Sequence, residues 1–503
     1  MPGDRVGWVA PGAYRGDMSR SGDNTDTYDV VVIGGGPAGE NAADYAIRGS
    51  GRTAVIIEDQ LVGGECSYWA CMPSKALLGA GAVLEAAAGL PGSAPRVTST
   101  RPDRDALLGW RDTMTSHRDD ASQVRWLDGA GIDLVRGRAR LTGEDGVVEV
   151  DGRRIRAREA VVLATGSTAS IPDIPGLRDA APWTSRDVTA VVEVPERVGV
   201  LGGGVVACEA ATWLTDLGAT VTMAVRGQAL LPAMEPWASA MVAEGLRARG
   251  VDLRFGETFG HVQRVKTRDT GPGRVHGGPV RISLTGADGS RADGLEVDEV
   301  LVAAGRRPAT VGLGLETLGI DPTQPLDVDD HLNVAGRGWL YAVGDTNGRA
   351  PLTHMGKYQA RVVGDVISAR AEGYRLDGPR YRALADHSAV PQVVFTRPEV
   401  ASVGMTEQTA RAAGIEVRTT ELDIAVAGSA LVRSDYRGHA GLVIDALREV
   451  IVGATFVGPD VAELLHSATV AVVGEVPLDR LWHAVPAYPT VSEVWLRLLE
   501  SLH

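Results

Sequence analysis

Residues 28–39 read YDVVVIGGGPAG. The first six form a near-continuous apolar run, the kind buried on both faces of a parallel sheet. Glycine then recurs at Gly34, Gly36 and Gly39. In that spacing the first glycine makes the turn, the second lets backbone N–H groups approach a pyrophosphate, and the third lets helix and strand pack closely. Residues 40–48 carry helical spacing, and a second apolar run, 54–57, ends at Glu58. An acid nineteen residues past the third glycine is placed to hydrogen-bond a ribose. This strand–turn–helix–strand order predicts a dinucleotide fold.

The same unit recurs downstream. Residues 197–201 are apolar, Gly202 and Gly204 lead to Ala207, a helix is expected over 208–217, and a strand over 220–225. Here Val225 takes the place of the ribose-binding acid and Arg226 follows. An arginine without a carboxylate suits the 2′-phosphate of NADPH, with NADH the alternative. Between the units, residues 160–167 (AVVLATGS) read as a buried strand closing in a tight turn at Thr165 and Gly166.

A chain of 503 residues is too long for one core. The fold class expected is α/β, two tandem Rossmann-like dinucleotide-binding domains plus a C-terminal α+β domain. Residues 1–27 read as a loose arm. The dinucleotide units fall in 28–175 and 176–309, the chain returns to the first unit over 310–385, and 386–503 alternates short strands and helices. A net charge of −14 with no basic tract argues against nucleic acid and anionic membranes as partners. No apolar run reaches the length of a membrane span, and three cysteines are too few for a secreted disulfide scaffold, so a cytoplasmic location is expected. No cluster has metal-ligand spacing, and no metal is expected.

Two of the cysteines, Cys66 and Cys71, precede Met72-Pro73-Ser74-Lys75 and an Ala/Leu-rich helix. On an ideal helix their Cα atoms would lie roughly 8–9 Å apart, whereas a disulfide needs about 4.4–6.8 Å. Closing it therefore requires a distorted helix start, and a strained bridge is readily reduced. A thiolate at a helix N-terminus with Lys75 one turn on has a lowered pKa. Lysine is otherwise scarce, occurring only at 75, 266 and 357. Cys208, on the apolar face of the second-unit helix, reads as packing.

With GGECSYWACMPSK (63–75), ATGS (164–167), GGGVVACE (202–209), AAGRRP (303–308), YAVGD (341–345), LTHMGKYQAR (352–361) and YPTVSE (488–493), the chain resembles the class I pyridine nucleotide–disulfide oxidoreductases, the family of dihydrolipoamide dehydrogenase, glutathione reductase and mercuric reductase. The resemblance runs from about Tyr28 to Glu493. It implies FAD held by Gly34, Gly36, Gly39 and Glu58, with Asp345 on its ribityl or pyrophosphate region and Thr165 and Gly166 nearby. It implies nicotinamide dinucleotide at Gly202, Gly204 and Arg226, Cys71 as the thiol facing flavin, Cys66 as the thiol meeting substrate, and an ion pair of Lys75 with Glu209. It further implies a homodimer whose shared active site is completed by a second copy's C-terminal segment. His354 is expected to cap backbone and His466 to pack.

One departure bears on chemistry. The family's C-terminal segment carries His-Pro-Thr with a Glu three residues after the Thr; here Tyr488, Pro489, Thr490 and Glu493 stand in register. Histidine titrates near about 6.5 and can take and return a proton at neutral pH, whereas a phenol near about 10 mostly donates. Mercury reduction is disfavoured, because no cysteine follows Cys208. The sequence therefore predicts NAD(P)H-driven reduction of a thiol- or disulfide-type acceptor through a Cys66–Cys71 redox disulfide. The alternatives are a quinone or small-acceptor reductase (a diaphorase) and a dihydrolipoamide dehydrogenase-like subunit of a complex.

Overall fold

A computed structural model of the chain describes residues 25–286 and 289–502. The arm expected over 1–27 lies outside the described residues except for its last three, which already belong to a strand. That strand, β1 (Thr25–Ile33), leads through the glycine loop into α1 (Pro37–Ile47) and on to β2 (Ala54–Glu58). Val30, Val31 and Val32 are fully buried, each such side chain worth about 1.5–3 kcal/mol. Two helices follow, α2 (Gly64–Tyr68) and α3 (Cys71–Ala88), and later the long strand β3 (Arg153–Leu163).

β1 lies parallel between β2 and β3, with Val31 opposite Val55 on one side and Val161 on the other. The start of β3 pairs with the antiparallel strand Val147–Val150, and its end with Leu340–Ala342. The chain thus returns to the first sheet after completing the second unit.

The second unit is β4 (Arg197–Leu201), α4 (Val205–Asp216) and β5 (Thr220–Val225), in a four-stranded parallel sheet with Asp252–Phe255 and Glu299–Val302. A three-stranded antiparallel sheet of residues 257–297 covers it, and Phe259, Ile282, Leu284 and Val300 share the core between them. The helix α5 (Thr353–Ala371) then packs on α1, where Gly356 meets Ala38 and Gly364 meets Tyr45 closely enough that a larger side chain would collide. Beyond residue 390 the sheet is five-stranded and antiparallel, backed by the helices Leu465–Val473 and Val494–Glu500.

His466 differs from expectation. Its helix turns Leu465, Ala468, Ala471 and Val472 inward and leaves His466 exposed. Among the described residues no helix is long and apolar enough to cross a membrane, and no group of His, Cys, Asp and Glu could hold a metal ion.

Candidate functional site

The break between α2 and α3 is what brings the cysteines together. Trp69 (φ −137°, ψ 0°) and Ala70 (φ −130°, ψ −96°) leave helical geometry, so the segment folds as two helices rather than one. Cys71 becomes the first residue of α3, where the helix end favours a thiolate. Cys66 and Cys71 carry free thiols that stand beside each other at this break. The Cys71 sulfur lies 3.2 Å from the Thr353 hydroxyl.

The Cys66 thiol, as a hydrogen-bond donor to a thiolate, then the Thr353 hydroxyl and the Lys75 charge pull the Cys71 thiol down to about 6 against the opposing effect of burial. Cys66 moves the other way, raised by the same hydrogen bond and by burial. A depressed thiol pKa means that the thiolate is present above it and is lost as pH falls through it. Alkylation of the reduced pair should therefore rise with pH through a midpoint of about 6, as the pair gives up one proton. A midpoint in the ordinary thiol range, about 8.5, would contradict this placement.

Lys75 lies one turn beyond Cys71. Its Nζ donates to both Glu209 oxygens, at 3.1 and 2.8 Å, and sits 4.7 Å from the centre of the Phe395 ring. Glu209, on α4 and 4 % exposed, also accepts from the Phe395 backbone N–H at 3.0 Å. The pair therefore ties together the first unit, the second unit and the start of the last sheet. Thr353 falls inside the 352–361 motif, but neither its contact with Cys71 nor that of Phe395 with the ion pair was read from the sequence. Cys208 is fully buried, and burial pushes its thiol up.

The first glycine loop is shaped as the spacing predicts. Gly34 adopts φ +106°, and an added Cβ there or at Gly39 would collide with the backbone of Ala164 or of Gly34 itself. Gly36 faces Gly64 across the loop. Glu58 accepts from the Gly35 N–H at 2.6 Å and the Gln60 N–H at 2.7 Å, so its carboxylate is fixed at the loop's edge. Glu40, just past Gly39, is buried with Oε1 unpartnered, and burial raises its carboxyl to about 7.

Thr165 and Gly166 close the end of β3, and the Thr165 hydroxyl is buried without a protein partner. Asp345 stands nearby and accepts from the Ser167 hydroxyl at 2.5 Å, which in turn accepts from Arg306 at 2.7 Å. An open glycine cradle, an orphaned hydroxyl and a carboxylate at the strand ends fit a long polar ligand such as FAD.

In the second unit Gly202 adopts φ +129° and Gly204 caps α4 with open space before it. Arg226 is exposed at the end of β5 and has no ion-pair partner among the described residues. Tyr488 and Glu493 lie apart from this cluster. Tyr488 is 76 % exposed, whereas Glu493 is buried and pairs with Arg497 at 2.8 Å. His354 bonds the Pro391 carbonyl at 2.7 Å.

Comparison with known proteins agrees with this architecture. Residues 28–361 match the pyridine nucleotide-disulphide oxidoreductase family, and residues 390–498 its dimerisation domain. The dihydrolipoyl dehydrogenase of Thermus scotoductus is 33% identical over 95% of this chain and 98% of its own length. A mercuric reductase of Staphylococcus aureus is 29% identical over 95% of this chain and 82% of its own. The fold is shared with the flavoprotein disulfide reductase RclA of Escherichia coli, at a TM-score of 0.78 and 23% identity, covering 95% of this chain and 100% of that one. With both of its parts matched in register, the chain belongs to the pyridine nucleotide–disulphide oxidoreductases, a family of enzymes that use FAD and NAD(P)H.

Proposed function

We propose that the protein is an NADPH:disulfide reductase working through Cys66 and Cys71. The observation that carries the reading is the placement of Cys71 at a helix start, beside Cys66 and 3.2 Å from the Thr353 hydroxyl, one turn from the Lys75–Glu209 pair. FAD, when bound, accepts a hydride from the nicotinamide and supplies the electron pair that opens the Cys66–Cys71 bond. Gly34, Gly36, Gly39, Glu58, Thr165, Gly166 and Asp345 are the residues to hold it.

The rest is thiol chemistry. Cys66 attacks one sulfur of the acceptor, whose S–S bond breaks as a mixed disulfide forms, and the first product leaves as a thiol on taking a proton. Cys71, kept as thiolate by Thr353 and Lys75, then attacks the Cys66 sulfur. The second product thiol leaves and the Cys66–Cys71 bond is restored. The balance is one NADPH and one proton consumed per disulfide converted to two thiols.

Tyr488 acts from a second copy of the chain as proton donor to the departing thiolate, with Glu493 and Arg497 setting its segment. The match of residues 390–498 to a dimerisation domain, with Val470, Val473, Val485 and Tyr488 each exposed within it, supports a homodimer. Arg226, exposed and without an ion-pair partner among the described residues, selects NADPH over NADH. Arg226→Ala should raise the KM for NADPH about tenfold or more, the loss of one charge-assisted contact, and leave NADH unchanged. An equal effect on both would contradict the assignment.

Turnover itself tests the reading. NADPH oxidation by the holoenzyme should be supported by small disulfides and lost in Cys66→Ala with Cys71→Ala. Reduction of quinones that survives both changes, with no disulfide turnover in the native enzyme, would identify a diaphorase instead.

A further inference from the structure

Only three lysines occur in the chain, and two stand at this site. Lys75 is neutralised by Glu209, but Lys357 has no carboxylate within ion-pair distance among the described residues. Lys357 lies on α5 one turn after Thr353, whose hydroxyl touches Cys71, so both face the same side of the helix. Lys357 is exposed, yet its charge reaches the Cys66 thiol and the Glu40 carboxyl.

The neighbouring charges do not cancel it. Glu40 is buried and raised to about 7, so it offers less than a full counter-charge near neutrality. Asp44 on α1 is engaged by Arg48, and His354 by the Pro391 carbonyl. Arg361, a further turn along α5, is exposed over the Tyr358 ring at 5.8 Å and extends the positive strip outward.

We propose that Lys357 selects the acceptor: its ammonium holds an anionic group beside the sulfur that Cys66 attacks, so the preferred acceptors are small disulfides bearing carboxylates. The proposal deepens the reductase reading and rests on Cys66 being the thiol that meets substrate. An ammonium several ångströms from a sulfur in partly screened surroundings changes attack on a charged reagent by about three- to tenfold.

The test uses the reduced holoenzyme and two reagents of matched chemistry, iodoacetate and iodoacetamide, with the labelled sulfur located by mass spectrometry. The iodoacetate-to-iodoacetamide rate ratio at Cys66 should fall about three- to tenfold in Lys357→Met, fall further in Lys357→Glu, and hold in Lys357→Arg. In turnover, the KM for anionic dithiobis(nitrobenzoate) should rise in Lys357→Met, while that for neutral dithiodipyridine moves little. A ratio unchanged with label on Cys66 overturns the proposal. So does loss of FAD retention with the ratio unchanged, which would assign Lys357 to the dinucleotide. Label absent from Cys66 in the native enzyme would instead sink the reading of Cys66 itself.

Discussion

Serine in place of Cys71 is expected to abolish disulfide turnover, by about a thousandfold or more, while leaving Cys66 able to react once. Serine supplies neither a thiolate near neutral pH nor a second sulfur, so the mixed disulfide on Cys66 has nothing to resolve it. The substrate half should therefore stay attached to Cys66 and appear as a stoichiometric adduct in the mass spectrum. Cys66→Ser should be as inactive but carry no adduct, because on this reading Cys66 is the sulfur that meets the acceptor and Cys71, beside the Thr353 hydroxyl, only resolves the mixed disulfide. The asymmetry between the two variants is the informative part. Adduct on Cys71 in Cys66→Ser, with none on Cys66 in Cys71→Ser, would reverse the two roles.

Lys75→Met carries the second large effect. Glu209 is left with its side chain 5% exposed and one remaining donor, the Phe395 N–H. Breaking a fully buried pair costs about 3–5 kcal/mol, but Lys75 is itself 37% exposed and solvent screens much of its share. A loss of about 1–2 kcal/mol is therefore expected, seen as a drop of a few degrees in the unfolding midpoint. The rate should suffer more. Removing a fixed charge from beside a reacting centre costs about a hundred- to a thousandfold, and here the step to measure is reduction of the Cys66–Cys71 pair by NADPH under anaerobic rapid mixing. Lys75→Arg separates the two effects. It keeps the charge and restores stability, but a planar fork cannot occupy the same point and the rate should stay low. A rate in Lys75→Met close to that of the native enzyme would show that the pair is structural.

Much of this architecture could be read in advance because it is local. The apolar run before Gly34 and the glycine spacing fix a strand, a turn and a helix within twenty residues, and the same signals repeat at Gly202. The cysteine pair was legible for the same reason, since a spacing too long for one helix demands the kink found at Trp69 and Ala70. What stayed hidden depends on contacts between distant parts of the chain. Thr353 meets Cys71 across 282 positions, and nothing in a threonine at a helix start announces it. Lys357 was one of three lysines and carried no expectation; its place one turn after Thr353 on α5 comes from the fold.

Other signals misled or fell silent for equally physical reasons. β1 begins at Thr25, earlier than its apolar run, because polar residues at a strand's end are held by pairing with β3, as Thr25 is by Arg154. His466 sits on an apolar helix, but the helix buries only one stripe, and the histidine falls outside it. Glu40 follows the glycine loop, where helical spacing alone does not tell which face it lies on, and the fold buries it.

The most direct measurement counts sulfurs. The oxidised holoenzyme is treated anaerobically with one equivalent of NADPH, then alkylated and mapped. Two newly reactive cysteines are expected, Cys66 and Cys71, with Cys208 unlabelled until the protein is unfolded. If the nucleotide is consumed and the flavin reduced while Cys66 and Cys71 gain no reactivity, electrons do not pass through this pair and the account fails.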